Sequence, residues 1–550
     1  MRNVPTLTVV LCLVVALLVA GCARSVSPLQ DPETFVTTSA PETLGPAQSA
    51  PAVAPTAAAT TAEQGAPSAS SGLVRYVIAG DDWGYPSPFA FYNRGPGYLR
   101  MSYLFDTLVW KDRNGFVPWL AERWEESDDG MTWTFWLRQD AKWHDGVPLT
   151  AEDVAFTFLY FREKKAAGMV KWAWPVEKVQ EASVVDGGRA VVVHMREPVA
   201  GLMTDLFGSL PVIPKHIWES VADPARKLDR EAVIGSSLFR LQDYSKEEGR
   251  YVYRSNPDFF LGKPLVDELV FVKVKDPALA LLTGEVDEAS FSGKGISSVR
   301  ELAKRPELKV IEGTSDWALK LYFNTMRPPL DQRSVRQAIA HAVNRQEIVE
   351  KAQMGGAIVG SLGLISPGTY WYNPNLPAYP YDVVRARELL RAAGVQACEL
   401  ALLTTEAYAR EAELIQRYLE EVGFRVRVKI GDRSTVDGLL QEGSFDLLIT
   451  GHGGTANPRI EYPSPEAVWS DTEYTQLYRE SLRAVDPSRR RECVWRMQEI
   501  IATELPILTL WHPLMWEVYR PGRVTPFYTP DGVDGGIPIA GNKVMFLRLP

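Results

Sequence analysis

The alternation of hydrophobic and polar positions predicts strands and helices that follow one another along the chain. Residues 425–430 alternate between charged and apolar side chains, as expected for a strand with one buried face. Residues 334–343 and 383–393 instead repeat apolar positions at helical spacing, and Gly394 is suited to end the second helix. Between 399 and 430 the predicted order is strand, long helix, strand. That order indicates a partly parallel sheet covered by helices, and therefore the α/β class.

The amino terminus follows a different pattern. Arg2 precedes an apolar run at 7–20, and the run ends in Val19-Ala20-Gly21-Cys22. The run is short for a membrane span, which needs about 20 residues, but it fits the apolar part of a cleaved secretory signal. The small residues before Cys22 resemble a lipobox, which implies that this cysteine carries a lipid and begins the mature chain. The alternatives are an ordinary signal peptide or a membrane anchor with an incidental cysteine.

Composition divides the rest of the chain into a tether and a globular body. Residues 23–72 are rich in Ala, Pro, Thr and Ser and poor in large apolar side chains, which predicts a disordered tether. The body begins near Leu73, and its size exceeds that of a single core, so two or three lobes are expected. The net charge of −9 over 550 residues argues against a nucleic-acid partner.

Catalytic and metal signatures are missing from the sequence. It contains no Gly-x-Ser-x-Gly elbow, no phosphate loop and no His-Glu-x-x-His, and its six histidines lack metal-ligand spacing. We therefore expect that the protein is not an enzyme and that it binds no metal ion and no cofactor. A secreted glycoside hydrolase stays as an alternative, because 68 acidic residues can supply a carboxylate pair. Cys398 and Cys493 are interpreted as free buried thiols, with a disulfide as the alternative.

Several long segments closely resemble the family 5 extracellular solute-binding proteins of peptide and nickel ABC importers. These segments are 105–109, 120–124, 129–138, 141–146, 150–154, 256–260, 328–339 and 386–394. The resemblance implies a two-lobed clamshell of the class II periplasmic-binding type, with an extra inserted subdomain, that closes on its ligand.

The resemblance also implies domain boundaries and a function. The expected divisions are a signal peptide at 1–21, anchor and tether at 22–72, a first lobe from 73–103, 225–316 and 517–550, an inserted subdomain at 104–224, and a second lobe at 317–516. The implied function is a monomeric, lipid-anchored receptor facing the periplasm or cell exterior. It would deliver a peptide-like or other small organic solute to ABC permease subunits in the membrane. A nickel-chelate or oligosaccharide binder, and a ligand receptor for a membrane sensor, are the alternatives.

Ligand contacts are expected from aromatic and loop residues near the implied cleft. Trp83 and Tyr85 follow the opening strand, and Trp511 and His512 are predicted to end a strand that starts at Ile507. The other candidates are Trp317 at a crossover between lobes, Trp371 in a loop, and His452 and Thr455 in a glycine-rich loop.

Thr455 departs from the pattern of the peptide-binding members of the family. In those members the loop carries an acid at this position, which grips the amino terminus of the peptide. Some members also carry an arginine where this chain has Ile449. The resemblance therefore implies a cleft that does not depend on a free peptide amine.

Overall fold

One sheet of twelve strands runs through the part of the chain that the structure describes. The computed structural model describes residues 73–92, 95–165, 171–315, 317–395, 398–453, 468–529 and 540–548. Cys22, the predicted signal and tether, and Thr455 lie outside these residues. The described strands are β1 Arg75–Ala79, β2 Val109–Lys111, β3 Phe116–Pro118, β4 Ala121–Glu126, β5 Thr132–Leu137, β6 Val179–Val185, β7 Ala190–Met195, β8 Phe239–Ser245, β9 Arg250–Ser255, β10 Glu268–Val272, β11 Glu288–Ser292, β12 Lys309–Thr314, β13 Ala318–Phe323, β14 Ala357–Val359, β15 Glu399–Thr405, β16 Arg425–Gly431, β17 Leu447–His452 and β18 Ile507–Tyr519.

The helices cover both halves of the sheet, as the α/β prediction requires. The described α-helices are α1 Gly95–Ser102, α2 Ala151–Glu163, α3 Lys215–Trp218, α4 Pro277–Thr283, α5 Ile296–Leu302, α6 Arg333–Ala342, α7 Arg345–Ala352, α8 Val383–Ala392, α9 Ala409–Glu421, α10 Arg433–Glu442, α11 Thr472–Ser481 and α12 Pro487–Glu504. The predicted helices at 334–343 and 383–393 correspond to α6 and α8. Gly394 has a φ of +70°, the left-handed conformation expected just after a helix.

The predicted strand, helix, strand unit between 399 and 430 is present as β15, α9 and β16. The two strands pair in parallel from Glu399 with Arg425 to Thr405 with Gly431. Parallel neighbours need a crossover connection, and α9 supplies it. This part of the sequence analysis is confirmed.

β18 joins the two halves of the large sheet. Its first part, from Ile507 to Trp511, pairs with β13 in the second half. Its last part, from Met515 to Tyr519, pairs with β11 and β12 in the first half. The strand order is β16-β15-β17-β13-β18-β11-β1-β10-β9-β8, with β12 and β14 also paired to β18. One continuous strand is therefore shared by both halves.

The predicted end of this strand at Trp511 and His512 is wrong. Both residues lie in its middle, because the backbone continues to pair for seven further residues, up to Tyr519. Pro513 does not stop the strand, since it pairs opposite Ala357 of the three-residue strand β14. The boundary predicted between 516 and 517 falls inside β18, while the domain boundaries as a whole stay a prediction.

Strand directions determine which ends of the two half-sheets face each other. Ser292, at the carboxyl end of β11, pairs with Met515, the residue of that half nearest the second half. β1, β8 and β10 run parallel to β11, so their carboxyl ends face the same way. In the second half, the start of β13 and the carboxyl ends of β15 and β17 face back toward the first half. Loops at these ends therefore border one cleft.

A smaller sheet, β4-β5-β7-β6, lies in the segment 104–224 that was predicted as an inserted subdomain. Its strand β5 buries alternate side chains, as the sequence pattern indicates. These residues share one hydrophobic core with the first half of the large sheet, whereas residues of the second half form two further cores.

A buried ion pair ties the carboxyl-terminal segment to the start of this insertion. Lys543 Nζ lies 2.6 Å from Asp106 Oδ1, and both side chains have no solvent exposure. The ammonium also donates to the carbonyl oxygens of Ser102 and Phe105 and to Ser237 Oγ. Burial lowers the pKa of Lys543, and the Asp106 carboxylate opposes that change. All these partners satisfy a charge that would be costly to bury alone.

Replacing Lys543 with Met should destabilise the fold by about 3–5 kcal/mol, because it leaves the buried Asp106 carboxylate without its counter-charge. The measurement is the free energy of urea unfolding. Lys263→Met is the matched control, since the Lys263–Asp267 pair is partly exposed and should contribute less than about 1 kcal/mol. The double variant Asp106→Asn/Lys543→Met should recover part of the loss. Equal, small losses in Lys543→Met and in the control would contradict this account.

Candidate functional site

Three aromatic rings meet at the end of the second half-sheet that faces the cleft. The Trp317 and Trp511 ring centroids are 5.3 Å apart, and the Trp317 and Tyr408 centroids are 6.3 Å apart. Trp317 precedes β13, Trp511 lies on β18, and Tyr408 follows β15, so three different elements bring the rings together. Trp317 is half-buried and Trp511 is buried. We name Trp317, Tyr408 and Trp511 the aromatic wall.

Gly451 makes room for this wall. A Cβ atom at this position of β17 would lie only 1.8 Å from Cζ2 of Trp317, so any side chain would displace the indole ring. Glycine here therefore serves the close packing of Trp317 on the strand backbone. The sequence analysis placed His452 in a glycine-rich loop, whereas the structure places Gly451 and His452 in β17.

His512 holds the wall from behind rather than facing the cleft. The side chain is fully buried, Nδ1 donates to the Trp317 carbonyl oxygen (3.1 Å), and Nε2 accepts from the Ser361 N–H (3.2 Å). Burial lowers its pKa to about 4, so the ring is neutral at physiological pH. Both ring nitrogens bond within the protein, so His512 has none left to contact a ligand.

Glu411 is a buried acid that the sequence analysis missed. It lies on α9, has no solvent exposure, and accepts a hydrogen bond from Gln353 Nε2 at 2.7 Å. Burial raises its pKa. Helical spacing gives a signal, because Tyr408 and Ile415, three residues before and four residues after Glu411, are both buried. An acid on the apolar side of a predicted helix therefore marks a position worth testing.

Trp83 and Tyr85 lie on the opposite side of the cleft, in the loop after β1. The backbone N–H of Trp83 donates to the Tyr251 hydroxyl at 2.7 Å, and the ring centroids of Trp83 and Tyr92 are 6.0 Å apart. Gly84, between the two candidates, has a φ of +83° and pairs with Phe91 in an isolated bridge. This backbone arrangement fixes the loop at the sheet end that faces the second half.

Tyr85 also lines a cavity of about 310 Å³ in the first half. Its ring meets that of Tyr244 edge to face, with centroids 5.5 Å apart. Arg230, Arg240 and His144 are among the other lining residues. The sequence analysis did not find this cavity, because its lining comes from four separate segments of the chain.

Trp371 packs away from the aromatic wall. Its ring contacts Tyr370 at a centroid distance of 4.8 Å and lies 5.4 Å from the guanidinium carbon of Arg490. Its carbonyl oxygen accepts from Gln498 Nε2 on α12.

Of the two loop candidates, His452 ends β17 and its backbone pairs with Ala318, beside Trp317. The His452 side chain and Thr455 lie outside what the structure describes.

Two further observations concern the described ranges between 73 and 548. No group of three or more His, Cys, Asp or Glu side chains is arranged to hold a metal ion within them. None of the helices in these ranges is both long and apolar enough to span a bilayer. Cys398 is half-buried, Cys493 is buried, and both are free thiols.

Comparison with known proteins gives one family. The model of bacterial extracellular solute-binding proteins, family 5 middle, matches residues 115–470. The di/tripeptide-binding protein 2 of Pseudomonas aeruginosa (strain UCBPP-PA14) is 27% identical over 447 residues, which cover 74% of this chain and 82% of that protein.

Solved structures share the fold. HbpA2 from Haemophilus parasuis matches with a TM-score of 0.73 at 22% identity and covers 87% of this chain and 100% of that chain. NikZ from Campylobacter jejuni, solved in complex with Ni(L-His), matches with a TM-score of 0.67 at 19% identity and covers 86% of this chain and 99% of that chain.

The neutral, buried His512 leads to a pH prediction. Its pKa of about 4 in the folded protein lies below the ordinary value of 6.5, so the unfolded chain takes up the proton first as the pH falls. The stability gained from the neutral ring is complete above about pH 6.5 and is lost toward pH 4. The unfolding free energy of the wild type should therefore approach that of His512→Gln on acidification, by up to about 1.4 kcal/mol per pH unit. Urea unfolding of both proteins from pH 7 to pH 4.5 measures this gap, and a constant gap would contradict the assignment.

Proposed function

Because the chain belongs to the bacterial extracellular solute-binding proteins of family 5, we propose that it captures a small organic, peptide-like solute between its lobes. The family match covers residues 115–470, more than half of the chain. The family, the two-lobed fold and the role of solute-binding protein of an ABC importer were predicted from sequence and are confirmed. The ligand class, the contact residues, the monomeric state and the lipid anchor are proposals. The aromatic wall at the cleft is the observation that carries the ligand proposal.

The wall suits a ligand with flat or apolar groups. The Trp317 ring contacts those of Tyr408 and Trp511 and packs on Gly451 of β17, so little conformational freedom is lost on binding. Aromatic pairs add about 0.5–1.5 kcal/mol each beyond the burial of apolar area. Trp83 and Tyr85 follow β1 at the facing sheet end, and a solute held between the two sides would favour the closed state of the lobes.

The relatives favour a peptide-like solute, and Thr455 limits how it is held. The Pseudomonas relative is named a di/tripeptide-binding protein. Thr455 stands where the family's peptide binders carry an acid, and a neutral hydroxyl cannot supply a charge-assisted bond to a peptide amine. We therefore propose a solute whose free amino group, where it has one, is not gripped by the loop after β17.

A nickel-chelate solute is the second candidate, since NikZ was solved with Ni(L-His). It would need an imidazole free to reach the cleft. His512 does not offer one, because both of its ring nitrogens bond to the protein backbone. His512 therefore does not support a chelate, and the side chain of His452, the other candidate, lies outside what the structure describes.

Unmodified di- to pentapeptides should bind weakly or not at all, and N-acetylation should change their affinity less than tenfold. The missing charge-assisted bond contributes about 1.5–3 kcal/mol, or one to two decades in Kd. Isothermal titration of a peptide panel and its acetylated counterparts measures this. For a solute that binds, Trp511→Ala should weaken binding at least about tenfold, whereas Trp495→Ala on α12 is the control and should not. Micromolar peptide binding that acetylation abolishes would show that another residue supplies the clamp.

We also propose that Cys22 carries a lipid that holds the protein at the outer face of the cytoplasmic membrane. A receptor tethered near its permease meets it at a raised effective concentration. The tether at 23–72 would then let the lobes reach the permease.

Cys22→Ala should abolish lipid attachment, because the thiol is the site to which the diacylglyceryl group is joined. Metabolic labelling with a fatty-acid probe, followed by membrane fractionation, measures this. Cys398→Ala is the control, since that thiol lies in the folded body, and it should keep the label. Equal labelling of Cys22→Ala and the wild type would refute the anchor.

A further inference from the structure

The cavity beside Tyr85 has the features of a binding site in its own right. It lies where β8 ends, next to the loop after β1, on the side of the first half-sheet that faces the second half. Its volume of about 310 Å³ is at the lower end of the range for small-molecule sites. The residues that matter for its chemistry are Tyr85, His144, Arg230, Arg240, Asp243 and Tyr244.

Arg230 brings a guanidinium that forms no ion pair with the acids beside it in the chain. Its side chain is exposed and makes no ion pair or hydrogen bond within the described ranges. The neighbouring acids, Asp229 and Glu231, are both taken by Lys227, at 2.9 and 2.7 Å. The guanidinium is therefore free to meet an anion from solvent.

The other charged groups of the lining already have partners. Asp243 pairs with Arg250 at 2.9 Å. Arg240 donates to Asn256 Oδ1 at 2.9 Å and forms an ion pair with Asp258 at 3.6 Å. Arg240 and Asp243 therefore each have a charged partner outside the lining, whereas Arg230 has none within the described ranges.

Tyr85 and Tyr244 form fixed walls. The Tyr85 hydroxyl donates to the Asp229 carbonyl oxygen (2.9 Å), and the Tyr244 hydroxyl donates to Asp82 Oδ1 (2.7 Å). Burial and the nearby Asp229 carboxylate raise the pKa of Tyr85, while Arg230 acts to lower it. Both hydroxyl groups thus donate hydrogen bonds within the protein, and the two rings line the cavity.

His144 adds shape rather than charge. Its Nδ1 accepts from the Gly235 N–H, and its Nε2 donates to the Ser237 carbonyl oxygen, each at 3.1 Å. Burial lowers its pKa to about 4, so it stays neutral at physiological pH.

We propose that this cavity binds the carboxylate end of a small organic anion, with Arg230 as the charged contact and the Tyr85–Tyr244 pair against its apolar body. Guanidinium and carboxylate match in a bidentate geometry, and a flat or short apolar group suits the tyrosine walls. The inference deepens the proposed function and rests on it only for the statement that the anion belongs to the transported solute.

A pair of probes that differ only in charge tests the site. The full-length protein is titrated with 3-phenylpropionate and with 3-phenylpropionamide, its neutral counterpart. The acid should bind at least about tenfold tighter than the amide, since a charge-assisted bond is worth one to two decades. Arg230→Gln should remove that preference, and Arg230→Lys should retain part of it. The control Arg226→Gln changes a nearby arginine that is 88% exposed and pairs with Asp223, and it should leave binding unchanged.

The outcomes separate this inference from the proposed function. Equal binding of acid and amide, no binding of either at about 10 mM, or the same loss in Arg226→Gln as in Arg230→Gln would each overturn it. Trp511→Ala should keep the preference for the acid, because that residue belongs to the other half-sheet. An unchanged acid preference together with no effect of Trp511→Ala on solute binding would support the anion site and count against the aromatic wall alone.

Discussion

The pairing of β18 with both half-sheets is the constraint on which the rest of the structure depends. Thirteen residues stay extended from Ile507 to Tyr519, and the strand exchanges hydrogen bonds with β13 at one end and with β11 and β12 at the other. Its direction fixes which ends of the two half-sheets face each other. That direction determines which residues border the cleft, because the loops at the facing ends lie between the two half-sheets.

β18 also supplies two neighbouring residues, Trp511 and His512, that contact Trp317 in different ways. Trp511 contributes a ring to the wall, and the next residue, His512, points to the other side and bonds the Trp317 carbonyl. Alternation along a strand explains why two adjacent aromatic residues have different surroundings. The candidate pair was thus one cleft residue and one internal support, and only the pairing of β18 distinguishes them.

Buried ionisable side chains give the first half a second kind of coupling. Beside the Asp106–Lys543 pair, Glu288 accepts from the Tyr76 hydroxyl at 2.7 Å, and Ser290 Oγ donates to Glu517 at 3.1 Å. Burial raises the pKa of Glu288 to about 7, and the pKa of Glu517 also rises. These acids stand on β11 and β18 where the strand returns from the second half. Its return is therefore secured by polar contacts as well as by apolar packing.

The sequence by itself determined the elements whose signal is local. Spacing within short segments predicted the helix α6 and the β15–α9–β16 unit, and the structure contains both. Short motifs gave the family resemblance, which the family match confirms. The tertiary structure decided the rest: the length of β18, the meeting of Trp317 with Trp511, the separation of Trp371 from them, and the cavity around Arg230. Each of these depends on contacts between residues far apart in the chain. Periodicity reports which face of an element is apolar, whereas strand pairing decides which faces and ends meet.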